Sequence, residues 1–269
     1  MLIAQLSDPH IRPRGVLYQG VVDSNAMFAA AIAQVNAFSP AINLVLLSGD
    51  IVDEGQPAEY EMARALLSEL RVPYLVIPGN HDGGFSAGHA AFRAAFQDHA
   101  YLPAAHPFHY AVEAGPLRIL ALDVTLPGLH HGLIDSARLA WLEQALAQEP
   151  QRPSIVMLHQ PPFACGIPYL DKYWCEGGDG LAELLARYRS VERVLCGHVH
   201  RFMQLRFGGT LLCTSPSTTT AIALQLDPAA KPRSYIEPPA FLLHHWRPET
   251  GLITHFVPVG DFPGPYPFA

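Results

Sequence analysis

The sequence Leu-Val-Leu-Leu-Ser-Gly-Asp-Ile-Val-Asp, residues 44 to 53, is an apolar run that ends in a glycine and an acid. Such a run is typical of a buried parallel strand, because neighbouring layers cover both of its faces. It predicts that the strand delivers Asp50 to the edge of a sheet. A lone aspartate after a strand is usually a turn former or a helix cap, so its role depends on the rest of the chain.

Four further predicted strands also end in polar side chains. In chain order the five strand ends are Asp8-x-His10, Gly49-Asp50, Gly79-Asn80-His81-Asp82, His159 and Gly197-His198-x-His200. Helical patterns separate the first three strands, and a βαβ arrangement brings the carboxyl ends of parallel strands to one edge. The sequence therefore predicts one site at that edge.

The five strand ends combine carboxylate, amide and imidazole groups. This set suits two divalent ions such as Zn²⁺, Mn²⁺, Fe or Co²⁺ better than Ca²⁺ or Mg²⁺, which prefer oxygen ligands. One carboxylate can bridge two metals about 3.5–4 Å apart, and such a pair activates water and binds a phosphoryl oxygen. Asp50 is the predicted bridge. Asp-x-His or His-x-His alone is more often an ordinary loop, but all five motifs in this order are hard to obtain by chance.

Composition limits the other possibilities. The chain has 269 residues, of which 49% are hydrophobic and 15% charged, which fits one large α/β domain with a substantial core. A net charge of -7 without a Lys/Arg cluster argues against a nucleic-acid polymer as partner. No run approaches the ~18 apolar residues of a membrane helix, and residues 1–6 are too short for a signal peptide. We therefore expect a cytoplasmic protein without a membrane partner.

The four cysteines show no C-x-x-C spacing, which argues against a zinc ribbon or a thioredoxin-type motif. Cys165 and Cys175 lie in one predicted loop and could pair. Free or buried thiols fit a cytoplasmic chain better.

The five motifs resemble those of the calcineurin-like metallophosphoesterases over residues 2 to 200. The resemblance implies a single domain, residues 1–269, folded as a four-layer α/β/β/α sandwich of two mixed sheets flanked by helices. It also implies a binuclear centre whose ligands are Asp8, His10 and His200 for one metal, Asn80, His159 and His198 for the other, and Asp50 for both. His81 would lie beside the leaving group.

Within that family the chain is most similar to bacterial glycerophosphodiesterases and class III cyclic nucleotide phosphodiesterases. The residues that carry the likeness are Ser7-Asp8-Pro9-His10 followed by Arg12 and Arg14, Ser48 to Asp53, and Asp123 followed by Gly132-Leu133 and Trp141-Leu142. It implies hydrolysis of small phosphodiesters by in-line attack of a metal-bound hydroxide, with Asp50, Asn80 and His81 as catalytic residues. Val124 stands where many relatives have serine.

Two other functions remain open. A phosphomonoesterase, including a protein phosphatase, would usually carry Gly-Asn-His-Glu with an arginine nearby, whereas here Asp82 is followed by Gly83-Gly84. A non-catalytic scaffold with the same fold would be expected to have lost ligands, and all seven positions are filled.

The sequence allows two interpretations of the roles of several residues. Arg12, Arg14 and Arg201 could bind phosphate through paired hydrogen bonds, or form structural ion pairs. His130 and His131 lie on a loop that could reach the substrate. Asp53 and Asp82 are interpreted either as local turn residues or as residues that support the metal ligands.

Residues 227–239 are rich in Pro and Lys/Arg and form a predicted excursion. Similar proteins often form dimers through this region. Residues 221–247 are therefore predicted to be a small cap or dimerisation segment, and we expect a homo-oligomer.

Overall fold

The structure is a computed structural model that describes residues 1–83 and 89–267. Its helices are α1 (Ser24–Ala37), α2 (Pro57–Leu67), α3 (Ala90–Ala95), α4 (Ser136–Gln148) and α5 (Gly178–Leu185). Its strands are β1 (Leu2–Leu6), β2 (Leu44–Leu47), β3 (Tyr74–Val76), β4 (Tyr110–Ala114), β5 (Leu117–Ala121), β6 (Gly132–Leu133), β7 (Ser154–Met157), β8 (Cys175–Glu176), β9 (Val191–Cys196), β10 (Met203–Phe207), β11 (Thr210–Thr214), β12 (Ala221–Ile222), β13 (Ser234–Tyr235), β14 (Ala240–Arg247) and β15 (Gly251–Pro258).

Two large sheets form the centre of the fold. One has five strands in the order β15-β14-β1-β2-β3, and the other has six in the order β10-β11-β9-β7-β5-β4. Strands β1 to β3 are parallel, as are β5, β7, β9 and β11. The remaining strands of both sheets are antiparallel to their neighbours. Both sheets are therefore mixed.

The buried residues show how the layers stack. Ile119 and Ile155 of the six-stranded sheet pack in one apolar cluster with the five-stranded sheet and with α1, α2 and α3. Leu120 and Val156 point the other way and pack with α4 and α5, because side chains alternate between the two faces of a strand. The predicted α/β/β/α sandwich is confirmed.

Helix boundaries follow local sequence signals with two differences. α1 begins after Asp23, whose side chain accepts a hydrogen bond from the Ala26 amide at 3.0 Å. The sequence predicts a helix over residues 86–98, of which the structure describes α3, and residues 86–88 lie outside the described residues. The sequence also predicts a helix over residues 181–188, whereas α5 begins and ends three residues earlier. At its start, Gly178 lies too close to the Pro162 carbonyl for any side chain. Helix α1, the longest one described, has 14 residues, and none of the described helices could cross a bilayer.

The C-terminal hairpin corrects part of the predicted cap. Residues 240–247 form β14, which pairs with β1, and Phe241 and Leu242 are fully buried. This part of the predicted segment 221–247 therefore belongs to the five-stranded sheet. Residues 221–239, with the small β12-β13 sheet, lie outside both large sheets, and their role as a cap or dimer contact stays a prediction.

All four cysteines are free thiols, with Cys175 fully buried and Cys165 partly exposed. Cys165 and Cys175 therefore do not form a disulfide in the structure.

Candidate metal centre

The parallel strands bring all seven predicted ligands to one place. β1 leads to Asp8 and His10, β2 to Asp50, and β3 to Asn80. From the second sheet β7 leads to His159, and β9 to His198 and His200. The carboxyl ends of both sets of parallel strands meet at the same edge of the sandwich, which is where the sequence predicted a site.

The side chains form two clusters whose ligand atoms lie within 4.8 Å of one another, namely Asp8 with His10 and His200, and Asp50 with His159 and His198. Asn80 joins the second cluster, since its Oδ1 accepts a hydrogen bond from His198 Nδ1 at 2.9 Å. One oxygen of Asp50, Oδ2, lies 3.2 Å from His159 Nε2 and 3.8 Å from His10 Nε2. Asp50 therefore stands between the two clusters.

The backbone at these positions is unusual. Among the described residues six non-glycine residues have a positive φ, and five of them are predicted ligands. These five are Asp8 (51°), His10 (43°), Asp50 (49°), His198 (71°) and His200 (51°). A left-handed conformation is unfavourable for such side chains, on the order of 1–3 kcal/mol each, and concentrates at functional sites.

Two glycines allow the close approach of these loops. Gly49 has a φ of 96°, and a side chain there would overlap the His159 ring. A side chain on Gly79 would overlap Asp50. Glycine is therefore required at both positions for packing, and at Gly49 for conformation as well.

Hydrogen bonds fix two imidazole rings. His159 Nδ1 donates to the Ser48 carbonyl at 2.6 Å, and His200 Nδ1 donates to the Thr220 carbonyl at 2.8 Å. Each Nε2 faces the site, and a hydrogen bond on the other ring nitrogen is the arrangement that orients metal-binding histidines.

The donor set fits divalent metal ions. The Nε2 atom of His198 is buried and has no hydrogen-bond partner among the described residues. Buried polar atoms are normally satisfied, so this atom, in a cluster with Asp50 and His159, indicates a partner such as a cation. Burial, with repulsion from His159, lowers the pKa of His198 to about 3 and keeps its ring in the neutral form that binds metal.

The two buried carboxylates differ electrostatically. Burial raises the pKa of Asp8 to about 6, against the attraction of His159. Burial also opposes ionisation of Asp50, but the nearby His159 and His81 outweigh it and hold the pKa of Asp50 well below its usual range. Asp50 is therefore ionised well below neutral pH in the metal-free protein, whereas Asp8 ionises only as the pH rises through about 6.

Asp53 supports two histidines of the site, which is one of the two roles that the sequence left open. Its carboxylate accepts a hydrogen bond from Arg12 Nη1 at 2.8 Å and lies 3.4 Å from His10 Nδ1. Its carbonyl accepts a hydrogen bond from His81 Nδ1 at 2.6 Å. Val52, directly before Asp53, forms an isolated parallel bridge with Ile11, directly after His10.

Asp82 ties the two neighbouring loops together. Its Oδ2 accepts hydrogen bonds from the Ile51 amide at 3.0 Å and from the Gly79 amide at 2.8 Å. This agrees with its interpretation as a local turn residue, and it also fixes the position of Asp50.

The three arginines singled out from the sequence do not line the cavity that opens above the two clusters. Arg12 pairs with Asp53 and with Glu59 at 2.7 Å, so it forms a structural ion-pair network. Arg201 donates to the Ile222 carbonyl at 2.7 Å. Arg14 is exposed. Of the two interpretations, phosphate binding or a structural contact, the structure therefore supports the structural contact for Arg12 and Arg201.

A cavity of about 330 Å³ opens above the clusters. Asp50, Asn80 and His81 line it, together with His130, whose Nδ1 lies 3.1 Å from Asn80 Nδ2. The other lining residues include Tyr18, Tyr169, Tyr173 and Arg233. Arg233 comes from the excursion at 221–239, and the only sequence signal for it was the Lys/Arg content of that segment. His131 is not among the described residues that line the cavity.

Comparison with known proteins identifies the class. The profile described as calcineurin-like phosphoesterase matches residues 1–202. A probable glycerophosphodiester phosphodiesterase of Arcobacter nitrofigilis is 34% identical over 269 residues, which cover 100% of this chain and 97% of that protein. The chain belongs to the calcineurin-like phosphoesterase family.

Two further similarities extend this picture. A 3',5'-cyclic adenosine monophosphate phosphodiesterase of Escherichia coli K12 is 28% identical over 80% of this chain and 75% of that protein. The crystal structure of a dimetal phosphatase from Danio rerio matches with a TM-score of 0.63 at 14% identity, covering 97% of this chain and 99% of that one. At this identity the structural match shows the fold alone.

The raised pKa of Asp8 predicts a stability effect in the metal-free protein. A carboxyl whose pKa is higher in the folded than in the unfolded state favours folding while it is protonated, and this advantage is lost as the pH rises from about 4 to about 6. We therefore expect metal-free Asp8→Asn to melt at a higher temperature than the metal-free wild type at pH 7, and at a similar temperature at pH 4. Thermal denaturation of metal-stripped proteins at the two pH values measures this. A lower melting temperature of the variant at pH 7 would contradict it.

Proposed function

We propose that the protein is a metal-dependent phosphodiesterase that hydrolyses small phosphodiesters, such as cyclic nucleotides or glycerophosphodiesters. The observation that carries this proposal is Asp50 Oδ2, which stands between two clusters of metal-binding side chains and faces a cavity of about 330 Å³. The names of the relatives from Arcobacter nitrofigilis and Escherichia coli support the substrate class.

The proposed centre contains two divalent ions, of Mn, Fe, Zn or Co. Asp8, His10 and His200 would hold one ion, Asn80, His159 and His198 the other, and Asp50 both. When bound, the two ions would activate a water molecule and stabilise negative charge on the phosphoryl oxygens.

His81 is placed to serve the leaving group. Its Nδ1 donates to the Asp53 carbonyl, and the ring lines the cavity. Burial lowers the pKa of His81, but Asp50 and Asp53 outweigh this effect and raise the pKa to about 10. In the metal-free protein His81 therefore carries a proton at neutral pH. In the proposed enzyme it would hydrogen bond a phosphoryl oxygen or protonate the departing alkoxide.

Asn80 links the substrate cavity to the second cluster. Its Oδ1 faces His198 and its Nδ2 faces His130. The amide thus fixes the relative positions of a predicted ligand and a cavity wall, which supports its proposed role in both metal binding and catalysis.

A phosphomonoesterase is the second candidate. The substrate of such an enzyme carries one more negative charge, and Arg233 lines the cavity and could hold it. Arg12 and Arg201, in contrast, are engaged elsewhere. Arg233 is exposed and belongs to the excursion, so it is poorly placed to hold this additional charge. We therefore favour a diester as the substrate. A non-catalytic scaffold is disfavoured, because all seven predicted ligands are present and converge.

We also propose a compartment and partners for the enzyme. The free cysteines support a reducing compartment such as the cytoplasm. The net charge of -7 supports a small substrate and not a nucleic-acid polymer. Leu224, Leu226 and Ile236 on the excursion are each at least 60% exposed, which supports a homo-oligomer contact or a lid there.

Metal reconstitution tests the proposed activity. We expect protein stripped of metal to be inactive, and addition of Mn²⁺, Co²⁺, Zn²⁺ or Fe²⁺ in turn to restore hydrolysis of a chromogenic phosphodiester in preference to its monoester. A panel of cyclic nucleotides and glycerophosphodiesters would then identify the substrate. Activity confined to the monoester would make the second candidate correct.

Replacement of His81 tests its role as acid. We expect His81→Ala to lower kcat about 100-fold, since general acid catalysis typically contributes at least this much, with metal content nearly intact. Steady-state kinetics and elemental analysis measure both quantities. His131→Ala is the matched control, because His131 does not line the described cavity. Loss of metal from the His81 variant would show that His81 is a ligand.

Arg233 is expected to contribute to substrate binding alone. We predict that Arg233→Gln raises KM for a phosphodiester severalfold with little change in kcat, because an exposed side chain at the cavity rim contacts substrate and transition state alike. The control is Arg206→Gln, an exposed arginine on β10 outside the cavity lining. A fall in kcat at constant KM would place Arg233 in the chemical step instead.

A further inference from the structure

A row of polar side chains crosses the interior from β15 to the metal centre. Its members in order are Thr254, His244, Gln5, Ser48, Ser7 and Asp8. All of them except Thr254 are fully buried. Their neighbours on the same strands are apolar, such as Ile3 and Leu6 on β1 and Phe241 on β14. Because burying polar groups is unfavourable unless they are hydrogen bonded, their contacts should explain why they are there.

The direction of each hydrogen bond follows from one carbonyl group. Gln5 Nε2 lies 3.0 Å from the Cys196 carbonyl, which can only accept, so the amide nitrogen faces Cys196 and the amide oxygen faces His244. His244 Nε2 therefore donates to Gln5 Oε1, at 3.2 Å. Burial lowers the pKa of His244 to about 3 and keeps the ring neutral, so its Nδ1 accepts from the Thr254 hydroxyl at 3.0 Å.

The other half of the row reaches the proposed ligands. Gln5 Nε2 also donates to Ser48 Oγ at 2.9 Å, and the Ser48 hydroxyl donates to Ser7 Oγ at 2.8 Å. Ser7 directly precedes Asp8 in the chain. The Ser48 carbonyl holds His159 Nδ1. Ser48 thus connects the row to one ligand from each cluster.

We propose that His244 and Gln5 are positioning residues for the metal centre, because they hold Ser48, and through it Asp8 and His159, in the geometry that binds metal. The proposal rests on the proposed function only in requiring that these side chains bind a metal ion. The hydrogen bonds from Thr254 to Ser7 all donate in the direction of Ser7, which directly precedes Asp8 in the chain. Partners of metal ligands commonly change metal affinity by 10–100-fold when they are replaced.

Titration of metal-stripped protein with Co²⁺ tests the proposal without substrate. We expect His244→Leu to lower the affinity for Co²⁺ about tenfold and to change the visible absorption of the bound ion, since the position of a ligand changes. His244→Gln should retain both, because its amide group can donate to Gln5 Oε1 in place of His244 Nε2.

Two more variants separate this effect from a general loss of stability. Leu243→Ala removes a buried apolar side chain on the same strand, and we expect it to lower the free energy of unfolding with Co²⁺ affinity unchanged. Ser48→Ala removes only a hydroxyl group and keeps the carbonyl that holds His159, and we expect about the same tenfold loss as for His244→Leu. If His244→Leu does not fold, the Co²⁺ affinity of Ser48→Ala tests the proposal in its place.

Wild-type Co²⁺ affinity in folded Ser48→Ala or His244→Leu would overturn the proposal. An equal loss of affinity in Leu243→Ala would also overturn it, since destabilisation alone would then explain the effect. Failure of the proposed function has a different signature, namely a wild-type protein that binds Co²⁺ and hydrolyses no phosphodiester.

Discussion

The position of the Asp50 carboxylate depends on the parallel pairing of β2 with β1 and β3. Parallel strands end at the same edge, so each adds its own polar loop to a common site. The second sheet repeats the arrangement with β7 and β9, and the packing of the two sheets brings His159 Nε2 within 3.2 Å of Asp50 Oδ2. Neither sheet alone contains enough ligands for the proposed centre.

The site is locally unfavourable, and the rest of the fold maintains it. Five predicted ligands have left-handed backbone conformations, and burial opposes ionisation of both Asp8 and Asp50. The large apolar clusters on both sides of the sheets hold the strand ends in place. The same rigidity keeps the metal-binding atoms converged before any ion arrives, which lowers the reorganisation needed for binding.

Polar contacts around the ligands complete this preorganisation. Asp53 and Asp82 hold the loop that carries Asp50, and carbonyl groups hold His159 and His200. The buried row that starts at Thr254 would extend the same principle across the five-stranded sheet to its far edge. Side chains that never touch a substrate would then contribute to how the metals are held.

The sequence by itself determined the order of strands and helices, the layer architecture through its family motifs, and the identity of the strand-end residues. These features are local, because apolar periodicity and the residues that follow each strand can be read within short windows. Tertiary structure alone decided the pairing of Asp53 with His10, the approach of Arg233 to the cavity, and the placement of residues 240–247 inside a sheet. These contacts join residues far apart in the chain, and their formation depends on how two separately formed sheets pack together.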